Sequence, residues 1–390
     1  MNRNVVLLSL CQALLTTGNI LLVAVTGLIG QDLAPSASLT TLPVACQFAG
    51  LMLATIPASL IMRRIGRRNG FFLGNSVGIA GALVSVLALS SSQFALFCLG
   101  TFLLGIGIGF GTLYRFAAVE TCQPGEESKA ISLVMAGGVL AAVLGPNLAI
   151  FSRQWFGPQS FAGAFAALLL LYIVALILLS RIRMVSHDSV EQTGESRPLK
   201  EILLQPGFIS AVVAAMVSYT VMVLLMTATP LAMQRCGFSF ASAATVIEWH
   251  VLGMFAPAFF TGQLINRFGV RTIMQLGAVL FLGCIALNLH GNSEWHFRAA
   301  LLLLGVGWNF MFIGATQLVT RTYSPAEKAK TQAANEFMIF SMVTLASLGA
   351  GWMESALGWT TTNMLMLPLV LWAMLVLGWF SRGAVLTARV

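Results

Sequence analysis

Arg63-Arg64-Ile65-Gly66-Arg67-Arg68 and, in the second half of the chain, Asn266-Arg267-Phe268-Gly269-Val270-Arg271 decide the fold. Each is a basic cluster around one glycine, set between two long apolar runs. The echo continues outward. Gly105-Ile106-Gly107 matches Gly305-Val306-Gly307, and Pro124, Glu127 and Lys129 match Pro325, Glu327 and Lys330. Two halves that repeat loops and spans in the same order are two copies of one membrane unit. Repeats of this kind place a substrate site between the halves, near mid-membrane.

Composition agrees. Of 390 residues 58% are hydrophobic and 9% charged, and the mean hydropathy is +0.88. A soluble domain carries roughly 25% charged residues. A span needs about 20 mostly apolar residues. On that basis spans are expected at 4–30, 39–62, 69–91, 93–121, 129–153 and 159–181, then at 207–234, 240–265, 270–290, 297–322, 331–355 and 359–381. The expectation is an all-α membrane protein of twelve transmembrane helices in two six-helix bundles. Residues 1–181 form the first bundle, 182–206 a cytoplasmic linker and 207–390 the second bundle. The first apolar run has no small-residue cleavage site and is read as an uncleaved span.

Basic residues gather at alternate loops: Arg63, Arg64, Arg67, Arg68, Arg181, Arg267, Arg271, Arg321, Lys328 and Lys330 at one side, and only Arg153, Arg235 and Arg298 at the other. The positive-inside rule then puts both termini in the cytoplasm. The net charge of +8 reflects this placement and no nucleic-acid partner. No GxxxxGK[ST] loop is present, so no ATP use is expected. The six cysteines form no CxxC, which argues against a zinc ribbon or a disulfide scaffold. No nucleophile–base or hydrolytic metal constellation exists, and the chain is read as a non-enzyme. A thiol–disulfide reaction of Cys46 and Cys236 is the sole enzymatic chemistry considered.

Met222 and Met226 lie in the seventh span, His250 and Met254 in the eighth. Spacing i, i+4 puts each pair on one helix face. At a rise of about 1.5 Å per residue, Met222, His250 and Met254 fall within about 3 Å of the midplane and Met226 roughly 9 Å to the outer side, a short ladder of ligands. Three thioethers and an imidazole are a soft, nearly uncharged ligand set that suits Cu(I). One MxxxM pair is expected by chance among 18 methionines, and Met338/Met342 is a second instance, so methionine spacing alone is also core packing. A mid-membrane histidine is costlier and more often functional.

The whole chain resembles the major facilitator superfamily. Its loop after the second span is similar to the G-x-x-x-D-R-x-G-R-R signature, with Ser59 and Arg63 replacing Gly and Asp. The second copy keeps Gly262 and has Asn266 for Asp. Gly145-Pro146 resembles the antiporter motif of the fifth span, although Ala141 and Ala149 stand for glycines. Thr101 stands where many proton-coupled members have Arg. Within the superfamily, the Met222/Met226 and His250/Met254 pairs resemble the CcoA-like copper importers. That resemblance implies copper uptake across the bacterial cytoplasmic (inner) membrane for haem–copper cytochrome oxidase assembly. Copper would be the transported substrate, no bound cofactor is expected, and copper chaperones and oxidase assembly proteins are implied partners. Relatives that import riboflavin leave an organic cargo as the alternative. A drug/proton antiporter, and a copper-binding membrane sensor or assembly factor, stand as further alternatives.

The same resemblance gives Cys46 and Cys236 a role in redox gating or metal relay. A disulfide between them needs Cα atoms within about 7 Å. Cys11, Cys98, Cys122 and Cys284 are read as packing residues. Glu248 is a candidate for carrying a coupling proton or for pairing with another helix. Arg115, Glu120, Glu336, Arg64, Arg67 and Arg267 are gating candidates, with ordinary helix-end ion pairs as the plainer reading. His290 and His296 flank an outer loop and are read as solvated. Trp249 and Trp308 face either the bundle or lipid.

Overall fold

The computed structural model describes residues 3–122, 127–157, 161–182 and 196–387, with the backbone alone at 115, 116, 119, 120, 127–132, 135 and 380–387. The first half comprises α1 (Arg3–Leu33), α2 (Leu42–Ile65), α3 (Arg67–Ser90), α4 (Phe94–Gly111), α5 (Tyr114–Thr121), α6 (Glu127–Ser152) and α7 (Ala162–Ser180). The short α8 (Leu199–Leu203) opens the second half. It continues with α9 (Pro206–Arg235), α10 (Phe240–Phe255), α11 (Ala258–Phe268), α12 (Val270–His290), α13 (Glu294–Thr320) and α14 (Lys328–Thr387). Most of the expected linker, 183–195, lies outside the described residues.

Among the described residues nine helices are long and apolar enough to cross a membrane. α10 and α11 form a further span bent by 44°. α14 is two arms, because Gly358 inside it has φ 79° and ψ 167°. α6 carries the apolar segment Ala136–Ser152. The twelve expected spans are thereby accounted for, with two corrections. The fourth span breaks between Gly111 and Tyr114, and the eighth between Phe255 and Ala258. Pro257 supplies no backbone donor to the second break. Thr112 turns its hydroxyl back onto the Gly109 carbonyl at 2.7 Å at the first.

The internal repeat is visible in the backbone. Gly66 joins α2 to α3 at φ 84°, ψ 152°, and Gly269 joins α11 to α12 at φ 86°, ψ 145°. An L side chain is strained there, so both basic loops need their glycine. Helix crossings repeat too. A methyl placed on Gly105 would lie 1.9 Å from the Gln47 carbonyl oxygen, and one on Gly305 would lie 2.2 Å from the His250 carbonyl oxygen. Hence α4 touches α2, and α13 touches α10, at matching backbone positions. Close approach of this sort is how helices pack without a hydrophobic drive between them. It also makes Gln47 and His250 equivalent positions in the two halves.

The halves meet through α2 with α14 and α6 with α10. At the arginine-poor end Thr41 donates to the Leu348 carbonyl at 3.1 Å and accepts from the Gly351 amide at 3.1 Å. Nearby, the Phe161 and Phe240 rings meet edge-on at 5.4 Å. Arg153 lies over both, 5.2 and 4.7 Å from their centroids. These contacts join the two halves at the arginine-poor end.

Candidate substrate site

His250 is fully buried. Its Nδ1 lies 2.9 Å from the Leu301 carbonyl oxygen, so Nδ1 carries the proton and donates. Nε2 is then a bare acceptor, and it is buried without a partner. Met222 and Met226 are buried in the same apolar core, and Met254 packs against it half-buried. The helices that carry the two pairs, α9 and α10, are in contact. Among the described residues no group of three His, Cys, Asp or Glu side chains converges on one point.

Gln47, the equivalent of His250, is also buried. Its Nε2 donates to Asn19 Oδ1 at 2.7 Å, which leaves Oε1 buried and unpaired. Each half thus presents one unsatisfied buried polar atom at the same place. A buried polar group without a partner costs about 1–3 kcal/mol, and a few such groups in an apolar pocket can orient a ligand. Thr26 on α1 and Thr227 on α9 add two more unpaired hydroxyls in the buried interior.

Sequence reasoning left a third feature undecided. Tyr219 on α9, Trp308 and Phe312 on α13, and Phe340 on α14 form one aromatic cluster. Trp308 and Phe312 are stacked at 4.9 Å and 12°. Tyr219 stands edge-on to both, at 5.1 and 5.0 Å. Phe340 joins it at 5.9 Å. Trp308 is 7% exposed, and its indole nitrogen has no partner. The i, i+4 spacing of Trp308 and Phe312 was the available signal. Trp308 faces the bundle, whereas Trp249 is 42% exposed.

The cysteines need a correction. Cys46 has the Cys98 thiol as a neighbour, on α4 of the same half, where sequence assigned Cys98 to packing. Cys236 is exposed at the end of α9. Glu248 accepts from the Asn147 amide across the two halves at 3.1 Å, a neutral partner where a basic one was considered. Arg64 and Arg267 are exposed at the arginine-rich end, and Arg267 lies over the neighbouring Phe268 ring at 5.2 Å. Arg67 and Glu336 are half-buried. The side chains of Arg115 and Glu120 lie outside the described residues. His290 and His296 have ring centroids 6.1 Å apart, and His296 Nδ1 lies 2.6 Å from the Ser293 hydroxyl.

Arg197, just after the linker, was not singled out from sequence as a functional residue. It grips Glu327 with two bonds, Nε to Oε1 and Nη2 to Oε2, each 2.7 Å. The Arg197 and Ser324 backbone amides also donate to that carboxylate, each at 2.9 Å. These donors, the guanidinium first, hold the Glu327 carboxyl well below the usual carboxylate range.

A membrane protein with duplicated helical halves that touch at the arginine-poor end, and with buried unpaired polar atoms between its helices, has the build of a solute carrier. Residues 7–256 match the family model described as Major Facilitator Superfamily, and the chain belongs to that superfamily. It is 43% identical over 372 residues to the riboflavin transporter RfnT of Brucella anthropi, covering 94% of this chain and 93% of that one. It is 27% identical over 375 residues to the uncharacterized MFS-type transporter YdeG of Bacillus subtilis, covering 90% of this chain and 87% of that one. A crystal structure of a D-xylose-proton symporter superposes with a TM-score of 0.74 at 14% identity, covering 96% of each chain. That last likeness concerns the fold alone. The relative matched at 43% along nearly its full length is a riboflavin transporter, so the organic-cargo alternative takes first place over copper.

Proposed function

We propose that the chain carries a flavin-class organic solute, riboflavin or a close relative, across the bacterial cytoplasmic membrane toward the cytoplasm. The observation that carries this reading is 43% identity, along nearly the full length of both chains, to a riboflavin transporter. The aromatic cluster supports it, because a planar ring system buries well against stacked aromatic side chains. A neutral cargo gains nothing from the membrane potential, unlike an ion. Accumulation then needs a co-transported ion or chemical trapping inside the cell. Glu248, held to Asn147 across the halves, is the side chain best placed to carry a proton between two states. Both termini are taken as cytoplasmic from the arginine distribution.

One observation favours a second reading. His250 with Nδ1 donating and Nε2 bare has one ring nitrogen free for a metal, and α9, which carries Met222 and Met226, contacts α10. Under that reading Cu(I) is the cargo, and copper chaperones or oxidase assembly factors receive it. The test is growth of a riboflavin auxotroph that lacks its own transporter. Growth rescue on low riboflavin by this chain, unaffected by Met226→Ala, supports the flavin reading. Absence of rescue, together with copper accumulation that Met226→Ala abolishes, replaces it with the copper reading.

A further inference from the structure

Trp308 and Phe312 belong to α13, Tyr219 to α9 and Phe340 to α14, so three helices supply one aromatic group at the middle of the second half. Their neighbour Asn309 shows what ordinary structural satisfaction looks like. Its amide nitrogen donates to the Met254 carbonyl at 2.6 Å, and its oxygen accepts from Thr261 at 2.6 Å. Trp308, one residue earlier, keeps a buried donor with nothing to bond. A tryptophan kept only for packing would normally find a partner for its N–H. Phe340 has a further property: it packs against the apolar core of both halves. Parting the halves would free its N-terminal-half contacts and uncover Tyr219 and Trp308 behind it.

We propose that Tyr219, Trp308, Phe312 and Phe340 form the subsite that takes the planar heteroaromatic ring of the substrate, with the Trp308 indole N–H donating to an acceptor on the ring edge. The proposal rests on the flavin reading and assigns it residues. The absence of any charged side chain among the four implies a neutral ring. The indole donor implies a carbonyl or an unprotonated ring nitrogen at the edge of that ring. The sugar-like chain of a flavin would extend away from the cluster, toward unpaired atoms such as Gln47 Oε1.

The test uses the purified full chain in lipid nanodiscs and the quenching of flavin fluorescence on stacking. Ligands are riboflavin, lumiflavin (the same ring without the ribityl chain) and ribitol (the chain without the ring). The wild type is expected to bind both ring compounds and to ignore ribitol. Trp308→Phe keeps an aromatic ring and removes the donor, and should weaken both ring ligands about 3- to 10-fold. Phe312→Leu removes the stacked partner and should weaken them about tenfold. Trp372→Phe, on the exposed side of α14 at 49% exposure, should change nothing. Thermal melting of each variant confirms its fold, and the ring-for-ring Trp308→Phe exchange decides if Phe312→Leu fails to fold. Flavin binding by the wild type with equal affinity in Trp308→Phe and Phe312→Leu overturns the subsite and leaves the flavin reading standing. No flavin binding by the wild type overturns both.

Discussion

Replacing Gly305 by Ala tests how the site is held. The new methyl would lie 2.2 Å from the His250 carbonyl oxygen, 3.0 Å from the Gly253 carbonyl carbon and 3.0 Å from the Met254 amide nitrogen. Real Cβ atoms essentially never come closer than 3.0 Å. The obstacle is helix backbone, so no side chain can rotate away. α13 and α10 must separate by close to an ångström, and overpacking of this kind costs about 1–3 kcal/mol. That separation moves Trp308, one turn further along α13, away from α10 and its His250. The expected outcome is a lower melting temperature and weaker substrate binding in the same variant. Gly105→Ala meets the Gln47 carbonyl oxygen at 1.9 Å and should behave alike, through the equivalent crossing in the other half. Gly262→Ala meets nothing within 4 Å, so its effect should be neutral or mildly stabilising, by up to about 1 kcal/mol from helix propensity. Unchanged melting and binding in Gly305→Ala would refute the claim that backbone contact fixes the geometry of this site.

Three further outcomes are expected. Above the ordinary carboxylate pKa of about 4.3, Glu327 is ionised folded or unfolded, and its grip on Arg197 is fully present. Because the folded carboxyl is held lower, that contribution drains away as pH falls below about 4.3. The melting gap between wild type and Glu327→Gln should therefore be flat from about pH 7 to pH 5 and shrink below it; a gap that widens on acidification contradicts the assignment. Mild oxidation of the purified chain should join Cys46 to Cys98, with loss of two hydrogens, in wild type and Cys236→Ser but not in Cys98→Ala; peptide mass mapping of a Cys46–Cys236 link instead would reverse the pairing. Arg153→Ala removes two cation–π contacts, each worth about 0.5–1 kcal/mol, and should loosen the arginine-poor end. Spin labels on Gln154 and Ser239 would show a growing long-distance population, and an unaltered distribution would count against that junction.

The duplicated architecture was legible because it is written in residues with strict backbone needs. Gly66 and Gly269 share one positive-φ conformation, and Gly105 and Gly305 sit at matching close crossings. The breaks at 112 and 257 were harder to see. Pro57, Pro146 and Pro230 lie inside unbroken helices, so proline alone does not mark a break in membrane spans. The aromatic cluster was illegible for another reason. Membrane helices are apolar on every face, so hydropathy cannot separate a ring facing lipid, such as Trp372, from one facing the site, such as Trp308. The histidine pair stood out because an imidazole is rare in a bilayer, whereas methionine is common there. The i, i+4 spacing puts each pair on one helix face, but a soft donor set does not by itself name a cargo. Cys98 was passed over because its thiol neighbour lies on another helix, and only the α2–α4 crossing brings the two thiols together.

The central claim is best tested by uptake into proteoliposomes holding the purified chain, with radiolabelled riboflavin and radioactive copper measured side by side under an inward proton gradient. Saturable riboflavin uptake that Trp308→Phe slows, with copper at the level of empty liposomes, is the predicted result. Copper uptake that depends on His250 and Met226, with riboflavin at background, would contradict it.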